Sequence, residues 1–217
     1  MDNKVLLGKD NNGNDFILDL DSAQNVLLTG TTGAGKSICL HRILFTLLNN
    51  NKNAEYVLID PKCVEFSKYQ KLSNVTYFTY KQYPEMVECL NKFLEKEELT
   101  NDVFIFVDEM CDVGDVDQKY IKPFLNILKT DNKHIHLIYA SQRICCDSMK
   151  KLKKYTPNRL GFCTSSLAES LSTIGKGGLE KLKGCGDCIA LIDGKLAHLN
   201  VDMISRQEIN DLIDNLN

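Results

Sequence analysis

Residues 30–37 read Gly-Thr-Thr-Gly-Ala-Gly-Lys-Ser, the complete pattern G-x-x-x-x-G-K-[ST] of a phosphate-binding loop. The pattern constrains the fold because it works only between a buried strand and the start of a helix. Its glycines let successive backbone N–H groups turn toward phosphate oxygens. The flanks agree. Asn25-Val26-Leu27-Leu28-Thr29 is a short apolar run suited to a buried strand. From Ile38 to Leu48, apolar residues at Ile38, Leu40, Ile43, Leu44, Leu47 and Leu48 keep a helical spacing. Phosphates would then meet the positive end of a helix. The candidate nucleotide-binding residues are Gly30, Thr31, Thr32, Gly33, Ala34, Gly35, Lys36, Ser37 and Ile38. Lys36 is placed to reach the β- and γ-phosphates, and the Ser37 hydroxyl to sit on Mg²⁺.

The rest of such a site needs carboxylates at a neighbouring strand end. Val103-Phe104-Ile105-Phe106-Val107 is a continuous apolar run, as expected of a strand buried on both faces, and it ends in Asp108-Glu109. Asp108 is the candidate anchor for Mg²⁺, and Glu109 the candidate for polarising an attacking water. A third strand, Ile135 to Ala140, runs into Ser141-Gln142-Arg143. Gln142 there could sense whether a γ-phosphate is present. On these residues, hydrolysis of a nucleoside triphosphate is the expected chemistry.

With 217 residues and 43% hydrophobic composition, one core can form, and no linker or low-complexity stretch divides the chain. We expect a single domain over 1–217, with an entry hairpin at 1–24, the phosphate-loop core at 25–185, and a hairpin and last helix at 186–217. No run approaches a membrane span, and Met1-Asp2-Asn3-Lys4 lacks a signal-peptide pattern, so a cytoplasmic location is expected. Nine cysteines without such a peptide point to reduced thiols. Cys185-x-x-Cys188 has no second Cys/His pair at zinc-ligand spacing, so no metal role is expected of it. His134 and His136 are read as packing residues. The net charge of −3 gives no general attraction for nucleic acid, which leaves local patches. Lys150, Lys151, Lys153 and Lys154 form the densest one, with a solvated helix face as the alternative.

Further elements are expected as a hairpin over about Val5–Leu20, a strand Tyr56–Asp60, helices around Glu85–Glu98 and Gln118–Lys129, and a strand Arg159–Cys163. Alternating strands and helices predict an α/β fold, mainly a parallel sheet with helices on both faces. The end differs. Asp187–Ile192 and Lys195–Val201 flank Asp193-Gly194, a two-residue hairpin turn. Ser205-Arg206-Gln207-Glu208 is a capping box opening the last helix.

Gly30–Ser37, Ile59-Asp60-Pro61-Lys62 with Glu65 and Ser67, and the Asp108-Glu109 strand together resemble the motor domain of FtsK/SpoIIIE-type DNA translocases. So do Ile135-His136-Leu137 running into Ala140-Ser141-Gln142-Arg143, Pro157-x-Arg159 with Phe162 and Ser165-Ser166, and Gly177-Gly178-Leu179-Glu180-Lys181-Leu182 with Gly184-x-Gly186-Asp187. Leu7-Gly8-Lys9-Asp10 looks like the entry into that motor. The resemblance implies a RecA-like P-loop ATPase, using ATP and Mg²⁺, that forms a homo-oligomeric ring, usually a hexamer, around double-stranded DNA. It implies an arginine acting in trans from the neighbouring subunit. Arg159 is the first candidate and Arg143 the second, an intra-domain salt bridge being the alternative for either. Lys150–Lys154 and the segment after Asp112 fall where the family has loops facing the pore.

The chain is expected to open at the motor and close on its last helix; Ile144 stands where the family usually has proline after the Gln-Arg pair, and Cys145-Cys146 follow. A minimal motor of this kind is expected to serve a mobile element, in conjugative transfer or phage DNA packaging, with a membrane or capsid protein as partner. The alternatives are a protein-moving ATPase of the type VII secretion kind and a nucleotide-dependent switch.

Overall fold

The computed structural model describes residues 3–96 and 98–216. Its elements are β1 (Lys4–Asp10), β2 (Asp15–Asp19), α1 (Leu20–Ala23), β3 (Val26–Thr29), α2 (Lys36–Asn50), β4 (Glu55–Ile59), β5 (Val75–Phe78) and α3 (Tyr83–Glu95). There follow β6 (Val103–Val107), α4 (Met110–Val116), α5 (Lys122–Ile127), β7 (Ile135–Ser141), α6 (Asp147–Leu152), β8 (Asn158–Phe162), α7 (Leu167–Ile174), β9 (Asp187–Ile192), β10 (Lys195–Val201) and α8 (Arg206–Leu216).

All ten strands join one sheet in the order β2-β1-β10-β9-β8-β3-β7-β6-β4-β5. From β8 to β5 every pairing is parallel, and from β8 back to β2 every pairing is antiparallel. The expected α/β architecture is therefore present, with a four-stranded antiparallel wing along one side. β6 and β7 are buried along their whole length, which is why they read as unbroken apolar runs. Alternate residues serve opposite layers. Phe104 and Phe106 face a core shared with Leu40, Ile43, Leu44 and Leu47 of α2, and with Ile209 and Leu212 of α8. Val103, Ile105 and Val107 face one shared with Met86 and Leu90 of α3, Phe124 of α5 and Leu152 of α6.

The expected C-terminal hairpin is found with its residues as read. Asp193 and Gly194 both have positive φ, the two-residue turn that matches strand twist. The capping box is present too: Glu208 N–H donates to Ser205 Oγ at 3.2 Å, and Ser205 N–H donates to Glu208 Oε2 at 2.8 Å. The helix expected over Glu85–Glu98 is the shorter α3. Glu97 lies outside the described residues, as do Met1 and Asp2 of the expected entry segment and Asn217. The helix expected over Gln118–Lys129 is a 3₁₀ turn, Gln118–Ile121, followed by α5, with Pro123 at the junction.

One expectation about the thiols is corrected. Cys111 and Cys146 are joined in a disulfide, with Cα atoms 6.7 Å apart. Packing of α4 on α6 brings together two cysteines 35 residues apart, which composition and local spacing cannot reveal. Seven cysteines are free thiols. Cys185 is exposed and Cys188 buried, so the Cys-x-x-Cys pair does not point into one site. No metal-binding cluster of His, Cys, Asp and Glu occurs among the described residues, and no helix there is long and apolar enough to cross a membrane.

Candidate nucleotide-binding site

The parallel strands all end at the same edge of the sheet, and the ends of β3, β4, β6 and β7 carry the residues singled out by sequence. Ligands in open α/β sheets bind outside these carboxyl ends. Thr31 is tied to the end of β8, its N–H and hydroxyl both donating to the Cys163 carbonyl at 2.8 and 3.1 Å. Gly35 closes the loop with φ +116°, and a Cβ there would lie 2.7 Å from the Gly186 nitrogen. Only glycine satisfies both the backbone and the contact. α2 begins at the next residue, so its free N–H groups face the loop.

Lys36 folds back over this loop, its ammonium donating to the Gly30 and Thr31 carbonyls at 2.8 and 2.9 Å. Burial lowers its pKa, with Glu109 and Asp108 acting in the opposite direction. A cleft of about 380 Å³ opens before it, lined by Thr32, Gly33, Gly35, Lys36, Ser37, Ile38, Lys62, Val64, Glu65, Asp108 and Gln142. Thr31 and Ala34 flank it in the loop, Ala34 accepting from the Gly186 N–H at 3.2 Å.

Asp108 lies at this cleft and Glu109 does not. Burial, together with the charges of Glu65, Asp60 and Glu109, pushes the Asp108 carboxyl up to about 7. Asp108 and Glu65 both line the cleft beside Ser37, where a divalent cation would relieve their repulsion. Ser37 and Asp108 supply oxygen donors suited to Mg²⁺. Glu109 adopts a left-handed backbone at φ 63°, ψ 71° and is 4% exposed. That turn sends its carboxylate to the end of β7. There Ser141 Oγ donates to Oε1 at 2.8 Å and Gln142 N–H to Oε2 at 3.0 Å. Gln142 accepts at its Oε1 from the Thr32 hydroxyl at 2.8 Å, which ties the third strand end to the phosphate loop.

The Asp60-Pro61-Lys62 segment acquires a physical meaning. Asp60 is buried and accepts from the N–H groups of Val64, Glu65 and Phe66 at 3.2, 2.9 and 2.9 Å. It thereby shapes the loop that delivers Glu65 to the cleft, while Lys62 pairs with Asp112 at 3.1 Å. Glu65 in turn meets His41 Nε2 at 3.2 Å, and His41 Nδ1 meets the Tyr69 hydroxyl at 3.0 Å. Hydrogen bonding from His41 is the main influence holding the Glu65 carboxyl low, and Ser37 adds to it. Sequence reasoning passed over His41. Its place four residues after Ser37, one helical turn on, was the available signal.

The two arginines part company. Arg159 sits at the start of β8, its guanidinium donating to the carbonyls of Thr156, Thr173 and Lys153 at 2.9, 2.7 and 3.1 Å. Its guanidinium is thus committed to backbone carbonyls and forms no ion pair among the described residues. Arg143 is exposed next to Gln142 and forms ion pairs with Asp112 at 3.5 Å and with Asp115. Of the lysines, Lys153 is turned inward onto Ser172, its ammonium 3.1 Å from the carbonyl and 2.6 Å from the hydroxyl. Lys150, Lys151 and Lys154 stay exposed, Lys150 paired with Asp147 and Lys151 donating to Gln118 Oε1, both at 3.0 Å. The basic patch is thus three side chains rather than four.

Residues 1–104 match the FtsK/SpoIIIE family. The DNA translocase FtsK of Staphylococcus epidermidis is 28% identical along 97% of this chain. The chain spans about a third of the length of that relative, 32%. Among solved structures, the pCW3 conjugation coupling protein TcpA, in a monomer form with ATPγS, superposes with a TM-score of 0.81 at 19% identity, over 100% of this chain and 71% of its own. The cytoplasmic domain of the type VII secretion ATPase EccC of Thermomonospora curvata gives 0.82 at 18% identity, over 98% and 31%. These two likenesses establish the fold. With the phosphate loop, the Asp60-Pro61-Lys62 segment and the Asp108-Glu109 strand end on one chain, the sequence matches make this chain similar to motor domains of the FtsK/SpoIIIE family.

Proposed function

We propose that this chain binds and hydrolyses ATP with Mg²⁺ and uses the energy to move double-stranded DNA, as a subunit of a homo-oligomeric ring. The observation that carries the reading is the convergence of Lys36, Ser37, Asp108 and Gln142 on one cleft, with Glu109 one residue beyond Asp108. Lys36 would exchange the Gly30 and Thr31 carbonyls for phosphate oxygens. Bound Mg²⁺, held by Ser37 and Asp108, would neutralise charge on the phosphates. Glu109 would accept the proton of the attacking water once released by Ser141 and Gln142, and Gln142 would respond to the γ-phosphate.

Translocation of DNA is supported by the 97% alignment with a DNA translocase. Lys150, Lys151 and Lys154 are the proposed backbone contacts, weak in one copy and multiplied in a ring. Arg143 is the better-placed arginine for a neighbour's phosphate, because surface ion pairs are readily exchanged whereas Arg159 is committed to three carbonyls. A cytoplasmic site of action and service to a mobile element, with a membrane or capsid partner, complete the proposal.

The likeness to EccC favours a second reading, a protein-moving ATPase. Turnover measured with duplex DNA and with unfolded polypeptide separates the two. Stimulation by duplex alone, lost in Glu109→Gln with nucleotide binding retained, is expected. Stimulation by polypeptide alone would transfer the chain to the second reading, and no turnover in any condition would leave a nucleotide-dependent switch.

A further inference from the structure

The disulfide between Cys111 and Cys146 lies beside the candidate base. Cys111 stands two residues beyond Glu109, on α4, and is fully buried. Cys146 is half-buried and immediately precedes α6. The segment between, 141–146, begins with the two donors that hold Glu109: the Ser141 hydroxyl at 2.8 Å and the Gln142 N–H at 3.0 Å. The same Ser141 oxygen is 3.2 Å from the Cys111 sulfur. Within the segment, Arg143 N–H donates to Ser141 Oγ and Cys146 N–H to the Arg143 carbonyl, both at 3.2 Å. One end of this short stretch is therefore hydrogen-bonded to Glu109, and the other is covalently bound two residues away from it.

We propose that Cys111 and Cys146 form a reversible thiol–disulfide exchange site for low-molecular-weight thiols and disulfides, and that the bridge locks segment 141–146 onto Glu109. The consequence for turnover rests on the reading of Glu109 as the base. Where thiols are kept reduced, a disulfide that does form is usually transient and redox-sensing. In the oxidising direction, the Cys146 thiolate attacks one sulfur of glutathione disulfide, giving a mixed disulfide and releasing one glutathione thiolate. The Cys111 thiolate then attacks the Cys146 sulfur, forming the bridge and releasing the second glutathione thiolate. Two protein thiols are oxidised and one glutathione disulfide is reduced to two thiols. Cys146 is the entry point because Cys111 is shielded, and the exposed Cys145 beside it marks the approach. With the bridge closed, Ser141 and Gln142 cannot withdraw, so the carboxylate stays occupied. Opening it restores their freedom, while the phosphate loop keeps its own tie from Thr31 to the Cys163 carbonyl.

The test equilibrates the full chain in glutathione buffers from fully reduced to fully oxidised, with the bridge quantified by peptide mapping. MgATP turnover, nucleotide affinity and amide exchange across 141–146 are read on the same samples. The bridged form should turn over ATP at least about tenfold more slowly, the factor for one retained hydrogen bond. Its amide exchange over 141–146 should slow by a similar factor, with nucleotide affinity unchanged. Cys146→Ser should keep the reduced rate at every poise. Failure of the bridge to form at any poise, or equal exchange in two verified forms, would overturn the lock. Absence of turnover in every form would instead count against Glu109 as base, and the exchange measurement would still decide the lock.

Discussion

The Lys36 ammonium lies 2.8 Å from the carbonyl oxygen of Gly30, the first residue of its own loop. The loop thus holds its cation in a folded-back position, ready to trade two carbonyls for phosphate. Charged hydrogen bonds are worth about 1.5–3 kcal/mol, so Lys36→Ala should weaken nucleotide binding by about 10- to 150-fold. Titration with a fluorescent ATP analogue checks this, and unchanged affinity would remove Lys36 from the site.

Asp108 offers a trade between stability and function. Its carboxyl is raised to about 7 by burial and neighbouring carboxylates, against about 3.9 in an unfolded chain. Between those values the folded state holds the proton more tightly, so this residue's contribution to stability falls as pH rises and reaches its full cost above 7. Asp108→Asn should therefore be more stable than the parent at pH 8, by at least about 1 kcal/mol, with the gap closing near pH 4. Urea midpoints of the nucleotide-free chains at both pH values measure it. The same variant should lose Mg²⁺-dependent binding.

At the opposite edge of the sheet the sign reverses. His136, with its Nε2 3.9 Å away, together with hydrogen bonds from Asn3 and His134, holds the Asp102 carboxyl well below the usual range. His134 Nδ1 is 2.7 Å and Asn3 Nδ2 3.0 Å from it. This stability is present above the unfolded value of about 3.9 and is lost as pH falls through the lower folded value. Asp102→Asn should cost about 1–3 kcal/mol at pH 7, lowering Tm by several degrees, and progressively less below pH 4. Calorimetry across pH tests it.

Arg159 and Arg143 should separate stability from catalysis. Arg159→Ala leaves the carbonyls of Lys153, Thr156 and Thr173 without their donor and should cost at least about 2 kcal/mol. Arg143→Ala loses only surface ion pairs and should stay within about 0.5 kcal/mol of the parent. Mixing Arg143→Ala with Lys36→Ala chains should recover part of the turnover that each lacks alone. An Arg159→Ala chain as stable as the parent would return that residue to the list of free cations.

Much of the nucleotide cleft was legible because its parts are local: a glycine loop with apolar flanks, and carboxylates closing an apolar strand. What stayed hidden depends on distant packing. α4 escaped notice because Met110–Val116 holds a glycine and two aspartates, poor helix formers. It forms since Gly114 lets it lie against Ser148, whose Oγ would be 1.9 Å from any Cβ there. α7 opens at a Ser166 cap that was read only as part of a serine pair. β5 is a four-residue edge strand with one exposed threonine, too short to stand out. Arg159 looked free because the carbonyls it serves come from the 153–156 turn and from Thr173 near the end of α7, which only the fold brings together.

The contact between Gly35 and Gly186 joins the phosphate loop to the antiparallel wing of the sheet. Gly186 leads into β9, and its carbonyl accepts from Val201 at the end of β10, so the outer hairpin is anchored at the phosphate loop itself. With no side chain on either glycine to cushion the touch, a tug on the hairpin reaches the loop as a displacement of backbone. The antiparallel wing and the phosphate loop therefore share one backbone junction, at Ala34, Gly35 and Gly186.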